Sequence, residues 1–294
     1  MITLAIAERS YSSWSLRGYL LAEASGLPFR TRHAPLRTAE FEALTVDFAP
    51  ARTVPMMEID GSAGAFRLWD SLAIAETLHE AAPEAGLWPS DPAARAAARS
   101  LAAEMHGSFG ALRAACPMAL ERRYEGFEAS DEVLEDAARV ETLWAWARET
   151  FAKGAGPWLF GADFTAADAF YAPVAARFVT YGLGGPAAQA YCEAVYAHPA
   201  FRRWRAMGVA EGARVARYEK DLPQAPRFGP APLAARAVQG VGPVNEACPY
   251  SGRPVAADSL AEIEGRVVGF CNPFCRDKSV ADAEAWPKLQ LLLA

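Results

Sequence analysis

The sequence predicts an α/β domain, then an all-helical domain, then a small cysteine-containing module at the C-terminal end. Three observations carry this prediction. Residues 1–82 alternate short apolar strand signals with helix signals. Residues 92–220 change to long alanine-rich runs with apolar residues at helical spacing. Three of the five cysteines, Cys248, Cys271 and Cys275, fall in residues 245–294.

The elements of the first domain follow in order. Residues 2–7 form a short apolar strand, and a serine-rich turn, Tyr11-Ser12-Ser13-Trp14-Ser15, leads into a helix over 16–25. Gly26 stops that helix, with Pro28 two residues beyond. A second strand over 29–34 and a short helix over 40–46 come next. A third strand over 54–59 begins at Val54-Pro55, and Asp60-Gly61 is a hairpin signal that pairs it with Phe66-Arg67-Leu68. Asp70-Ser71 opens an amphipathic helix through Glu80. The order is β-α-β-α-β-β-α.

Residues 83–92, with three prolines and a glycine, read as a linker. Helices are predicted over 92–115, 131–151, 164–179, 187–197 and 199–208, with no strand signal among them. Five prolines between 223 and 243 exclude a regular element there, so 221–244 reads as a proline-rich linker. A hairpin is predicted over 261–270.

The composition narrows the function. The chain has 294 residues, 52% of them hydrophobic and 22% charged, which is the balance of a folded globular protein. A net charge of −6 without a basic stripe argues against nucleic acid as a partner. No apolar run is long enough for a membrane span, and no signal peptide is evident. An odd number of cysteines does not suit a secreted disulfide framework, so a cytoplasmic location is expected.

Three short motifs could carry chemistry. A helix N-terminus stabilises an anion, and Ser12 or Ser13 could add a hydroxyl and hold a thiolate there. Taken alone, the serine pattern points first to a helix cap, which serines form well. Val54-Pro55, if cis, would turn the valine backbone outward toward an extended peptide; an ordinary strand-initiating proline is the alternative. Asp70 and Ser71 could hold the ammonium and carboxylate of an amino-acid head group, or cap their helix.

In this order and spacing, the motifs of residues 1–220 resemble the glutathione transferase family. Phe164-Thr165-Ala166-Ala167-Asp168 resembles its capping box and hydrophobic staple, and His198-Pro199-Ala200-Phe201-Arg202-Arg203-Trp204 its closing helix. The resemblance implies a thioredoxin-like first domain, an all-α second domain, a homodimer, and glutathione as co-substrate with a small electrophile. Ser12-Ser13-Trp14-Ser15-Leu16-Arg17 is similar to the serine motif of the zeta class, with Trp14 where that class has cysteine. By that resemblance Ser12 faces the glutathione sulfur, with Tyr11 and Ser13 as rivals. Val54 would bond the cysteinyl backbone beside Pro55, Asp70 and Ser71 the γ-glutamyl end, and Arg52 would reach the glycyl carboxylate.

The electrophile pocket is expected near Met105, Phe109, Leu112 and Arg113. His106 is a candidate acid or base, though a lone helical histidine is commonly structural. Arg177 could neutralise a substrate carboxylate or form an ion pair within the helical domain. Trp144 and Trp146 are expected to pack.

The C-terminal stretch, Cys248-Pro249-Tyr250-Ser251-Gly252 and then Phe270-Cys271-Asn272-Pro273-Phe274-Cys275, resembles the YHS/TRASH-type metal modules. Three thiols suit zinc or copper(I), and Asp277, a water or another chain would have to complete a zinc shell. Alternatively the module folds by packing Tyr250, Phe270, Phe274 and Trp286. The expected function is addition of a glutathione thiolate to an electrophile, by conjugation or isomerisation. The alternative is a non-catalytic protein of the same fold whose cysteine module senses metal or redox state.

Overall fold

The computed structural model describes residues 1–61 and 64–293 and divides into two compact units. The first comprises Met1–Val195 and Val215–Phe228; the second comprises Tyr196–Arg214 and Gly229–Ala294.

The first unit opens with β1 (Ile2–Ile6), α1 (Ser13–Ala24), β2 (Phe29–His33), α2 (Ala39–Asp47), β3 (Met56–Gly61), β4 (Gly64–Trp69) and α3 (Ser71–Ala81). The sheet order is β2-β1-β3-β4, with β1 and β2 parallel and the other pairs antiparallel. This is the thioredoxin-like arrangement. β1 is buried along its whole length, as a strand with neighbours on both edges should be. Gly26, at φ 67°, supplies the left-handed residue just after α1. β3 runs through Asp60-Gly61, where the sequence placed the turn, and pairs Gly61 with Gly64. Residues 62 and 63 lie outside the described residues.

Gly18 lets α1 approach the start of the third strand. A Cβ there would stand 2.8 Å from Pro55 Cβ and 3.4 Å from Leu4 Cδ1. The core beneath the Val54-Pro55 corner is Ala5, Ala7, Ala34, Leu44, Phe48, Ala51, Val54 and Met56.

The helices of this unit are α4 (Pro92–Gly107), α5 (Gly110–Ala115), α6 (Asp131–Ala147), α7 (Ala166–Tyr181) and α8 (Pro186–Ala197). The single helix expected over 92–115 is broken at Ser108 and Phe109, where Phe109 adopts φ 60°. Gly107 and Gly110 flank the break, and their low helix propensity makes it a natural place to turn. α7 is apolar nearly all round and buried at every position, so it forms the centre of the helical core. Its capping box is present: Thr165 N and Oγ1 donate to Asp168 Oδ2 at 2.9 and 2.8 Å. Trp144 packs against Tyr171, Phe178 and Tyr191, while Trp146 is half-exposed and meets Phe151 edge-on.

The second unit holds α9 (Pro199–Glu211), β5 (Ala235–Val238), β6 (Leu260–Ile263), β7 (Arg266–Gly269), α10 (Pro273–Ala281) and α11 (Pro287–Leu293). The exclusion of regular structure between 223 and 243 is corrected here. β5 pairs antiparallel with β6, because residues 233–242 contain no proline and leave the ladder donors free. β6 and β7 form the predicted hairpin through Glu264 and Gly265, both at positive φ as a tight hairpin turn requires. α10 packs on α9, and Arg202 of α9 grips Asp282 with Nη2 and Nε at 2.6 and 2.8 Å. No helix among the described residues is long and apolar enough to cross a membrane.

Candidate functional site

The serine-rich turn is built by backbone bonds from Tyr11 N and Ser12 N to Glu8 O at 3.2 and 2.8 Å. Ser12 is the N-cap of α1, its Oγ accepting from Ser15 N at 3.3 Å. The same hydroxyl donates to Ser15 Oγ at 2.8 Å, and Ser15 Oγ accepts from Ala7 N at 3.0 Å. Ser12 therefore both caps α1 and lines a cavity.

That cavity, of about 740 Å³, lies within the first unit. It gathers Ser12, Ser13, Arg52 and Val54 from the predicted site, with Tyr11 and Trp14 beside them. Pro55, Asp70 and Ser71 do not line it. Pro55 follows Val54 through a cis peptide bond. Asp70 caps α3, accepting from Leu72 N at 2.8 Å, and its other oxygen stands 3.3 Å from His106 Nε2. Ser71 is fully buried, and its Oγ has no hydrogen-bond partner among the described residues.

On the helical side the cavity wall keeps one of the four expected residues. Arg113 lines it, whereas Met105, Phe109 and Leu112 are buried elsewhere in the core; Gly110, Ala114, Pro117, Met118 and Arg177 complete the wall. The break after Gly107 redirects the helix and brings these later residues forward. Arg177 makes no ion pair among the described residues. It donates to Cys116 O at 2.9 Å and Pro173 O at 3.0 Å, and its Nη2 reaches Ser13 Oγ at 3.4 Å.

Two guanidinium groups lie over Trp14: Arg113 at 4.5 Å and Arg17 at 4.7 Å from the ring centroid. Arg17 is completely buried, also lies 5.0 Å from the Phe170 ring, and has no hydrogen-bond partner on any guanidinium nitrogen. Burial, followed by repulsion from Arg177 and Arg113, lowers its pKa to about 9. Burial and Arg113 likewise lower Arg177 to about 10. Tyr11 is tied up differently. Its hydroxyl donates to Glu219 at 2.6 Å, and burial together with that carboxylate pushes the phenol well above its usual range. Glu219 is also held by Arg122 at 2.9 Å. Sequence reasoning missed Glu219 and Tyr218, since nothing local to Tyr11 points to residues two hundred positions away.

In the second unit, the sulfurs of Cys248, Cys271 and Cys275 lie within 4.8 Å of one another. Local geometry explains the second and third. Asn272 caps α10, its Oδ1 accepting from Cys275 N at 2.9 Å, which sets Cys271 and Cys275 on either side of the cap. Ser251 Oγ donates to Cys271 Sγ at 3.2 Å. Asp277 is not part of the cluster, because Arg276 holds it at 2.7 Å. Aromatic packing is present as well: Tyr250 stacks near Phe270 and meets Trp286, and Lys278 Nζ lies 3.7 Å from the Tyr250 ring.

Residues 11–81 match the model of the glutathione S-transferase N-terminal domain, and residues 117–206 that of the C-terminal domain; together they span more than half of the chain. The chain belongs to the glutathione S-transferase family. Residues beyond 206 match neither model. A glutathione transferase homologue from Burkholderia GL BGR1, crystallised with bound glutathione, is 25% identical, with a TM-score of 0.52 over 71% of this chain and 97% of its own. The omega-class transferase 2S of Trametes versicolor is 20% identical, with a TM-score of 0.53 over 74% of this chain and 99% of its own. A trimeric Leishmania transferase is 21% identical, with a TM-score of 0.55 over 76% of this chain and 49% of its own. The last two show the shared transferase fold. No curated protein matches the chain.

Proposed function

We propose that the protein binds glutathione in the cavity beside α1, holds it as thiolate at Ser12, and adds it to a small electrophile. The observation that carries this reading is the convergence of Ser12, Ser13, Arg52 and Val54 on one cavity at a helix N-terminus. The helix end favours the negative sulfur, and Ser12 can turn its hydroxyl from Ser15 to the thiolate. Lowering the thiol pKa and positioning it beside the electrophile supply the catalysis. The resemblance to the zeta-class serine motif supports Ser12 over its neighbours, and the engagement of Tyr11 with Glu219 supports the same choice. Ser71, buried with a free hydroxyl at the start of α3, and Asp70 receive the γ-glutamyl end, which extends the glutathione site past the cavity. The family likeness favours a homodimer, and the odd number of cysteines a cytoplasmic location.

Calorimetric titration with glutathione, together with an ultraviolet difference spectrum of the bound thiol, tests this. Binding with a thiolate signal near neutral pH is expected; no heat and no spectral change would end the reading.

The cysteine cluster supports a second role. Three converging thiols, two of them buried, fit a thiophilic ion such as zinc or copper(I), with Cys248, Cys271 and Cys275 as its holders. A bound ion would tie the turn at Cys248 to the start of α10.

A further inference from the structure

The cavity wall has an unusual charge balance. Arg52, Arg113 and Arg177 line it, and no aspartate or glutamate does. None of the three forms an ion pair among the described residues. The nearby Glu219 is already taken by Arg122 and by the Tyr11 hydroxyl, so it does not offset them. Arg17, whose charge Asp70 partly offsets, adds a fourth cation against the Trp14 ring. Uncompensated guanidinium groups facing a partly desolvated cavity favour an anion there.

The arginines are not equivalent. Arg177 spends Nε and Nη1 on the carbonyls of Cys116 and Pro173, so it acts mainly through its charge. Arg52 is allotted above to glutathione. Arg113 gives only Nη1 to backbone, reaching Ser108 O at 3.2 Å and His106 O at 3.4 Å. Its remaining N–H groups form a fork of the kind that holds a carboxylate through two hydrogen bonds. Its plane lies over Trp14, and Trp14, Phe41 and Tyr218 give the same cavity an aromatic lining.

We infer that the electrophile is an aromatic carboxylate, its anion held by Arg113 and its ring lying in the Trp14-lined part of the cavity. This deepens the glutathione reading above and rests on it for the attacking sulfur. In a matched test pair, the thiolate attacks the chlorine-bearing ring carbon of para-chloro-meta-nitrobenzoate or of its neutral benzamide. A carbon–sulfur bond forms, the carbon–chlorine bond breaks, and chloride departs with the electron pair.

The experiment compares kcat/KM for the acid and the amide, each divided by its uncatalysed rate with glutathione. The full chain is expected to favour the acid by about tenfold or more after this correction. Arg113→Gln is expected to lower turnover of the acid about tenfold more than that of the amide, with Arg113→Lys in between. Equal corrected rates, or an equal loss for both substrates in Arg113→Gln, would overturn the inference. A second arm titrates meta-nitrobenzoate and meta-nitrobenzamide, which have no leaving group, without glutathione. Tighter binding of the acid that Arg113→Gln abolishes upholds the anion subsite even if glutathione does not bind; equal binding overturns it. Absence of glutathione heat with retained acid binding would instead sink the glutathione reading alone.

Discussion

The Tyr11 hydroxyl donates to Glu219 Oε1 at 2.6 Å across 208 positions of the chain. A phenol buried against a carboxylate keeps its proton, so it is poorly placed to stabilise a second negative group. Ser12→Ala is therefore expected to raise the pKa of bound glutathione by about one unit, which corresponds to about 1.4 kcal/mol, and Tyr11→Phe by less. The pH profile of turnover separates them; the larger shift in Tyr11→Phe would reverse the assignment. Tyr11→Phe should also cost about 2 kcal/mol of stability through the lost charge-assisted bond.

Gly18 is the glycine that matters most to the site. In an exposed helix, Gly→Ala would gain about 0.5–1 kcal/mol. Here the new Cβ meets the Pro55 ring at 2.8 Å, and overpacking against a rigid ring costs about 1–3 kcal/mol, so the sign reverses. Gly18→Ala should lower the denaturant midpoint and weaken glutathione binding by displacing Val54. A stabilised variant would show that the contact relaxes freely.

Arg202 and Asp282 form a nearly buried pair, with side-chain exposures of 16% and 4%. Removing one partner leaves the other charge stranded, so Arg202→Ala should cost about 3 kcal/mol. Arg202→Lys keeps the charge but loses the two-point grip, and its cost should be smaller. Thermal unfolding of the two variants gives the comparison. Equal melting temperatures for wild type and Arg202→Ala would show that the pair contributes nothing.

Asp168 is wholly buried, and burial raises its pKa above the ordinary 3.8 against four hydrogen bonds that lower it. A carboxyl that binds its proton more tightly when folded adds stability that is fully present below 3.8 and lost as pH rises through the native value. Asp168→Asn removes that dependence. The stability advantage of wild type over the variant should shrink as pH rises through this window in urea titrations; an advantage that grows would contradict it.

If the cysteine cluster holds a metal, purified full chain should carry up to one equivalent by elemental analysis. Cys271→Ser should lose it, and a chelator should lower the melting temperature of wild type alone. No metal in protein grown with zinc or copper supplements would leave the module held by its aromatic packing.

Much of the fold is legible in local chemistry. Gly26 ends α1 and Thr165 and Asp168 cap α7; each acts within a few residues, so the sequence alone determines it. Of the residues expected at the glutathione site, Ser12, Ser13, Arg52 and Val54 meet at one cavity, and Pro55, Asp70 and Ser71 do not line it. Other features needed the folded chain. Proline density hid β5, whose ladder forms only when β6 is present to pair with it. At the Gly107–Gly110 break the cavity wall keeps the predicted Arg113 but takes Gly110, Ala114 and Met118 in place of Met105, Phe109 and Leu112. Tyr11 with Glu219 and the guanidinium groups around Trp14 are contacts between distant segments. The sequence determined which residues could cap, turn and pack; only the tertiary structure decided which charges meet a counter-charge and which are left facing the cavity, because that depends on distances between segments that no local pattern records.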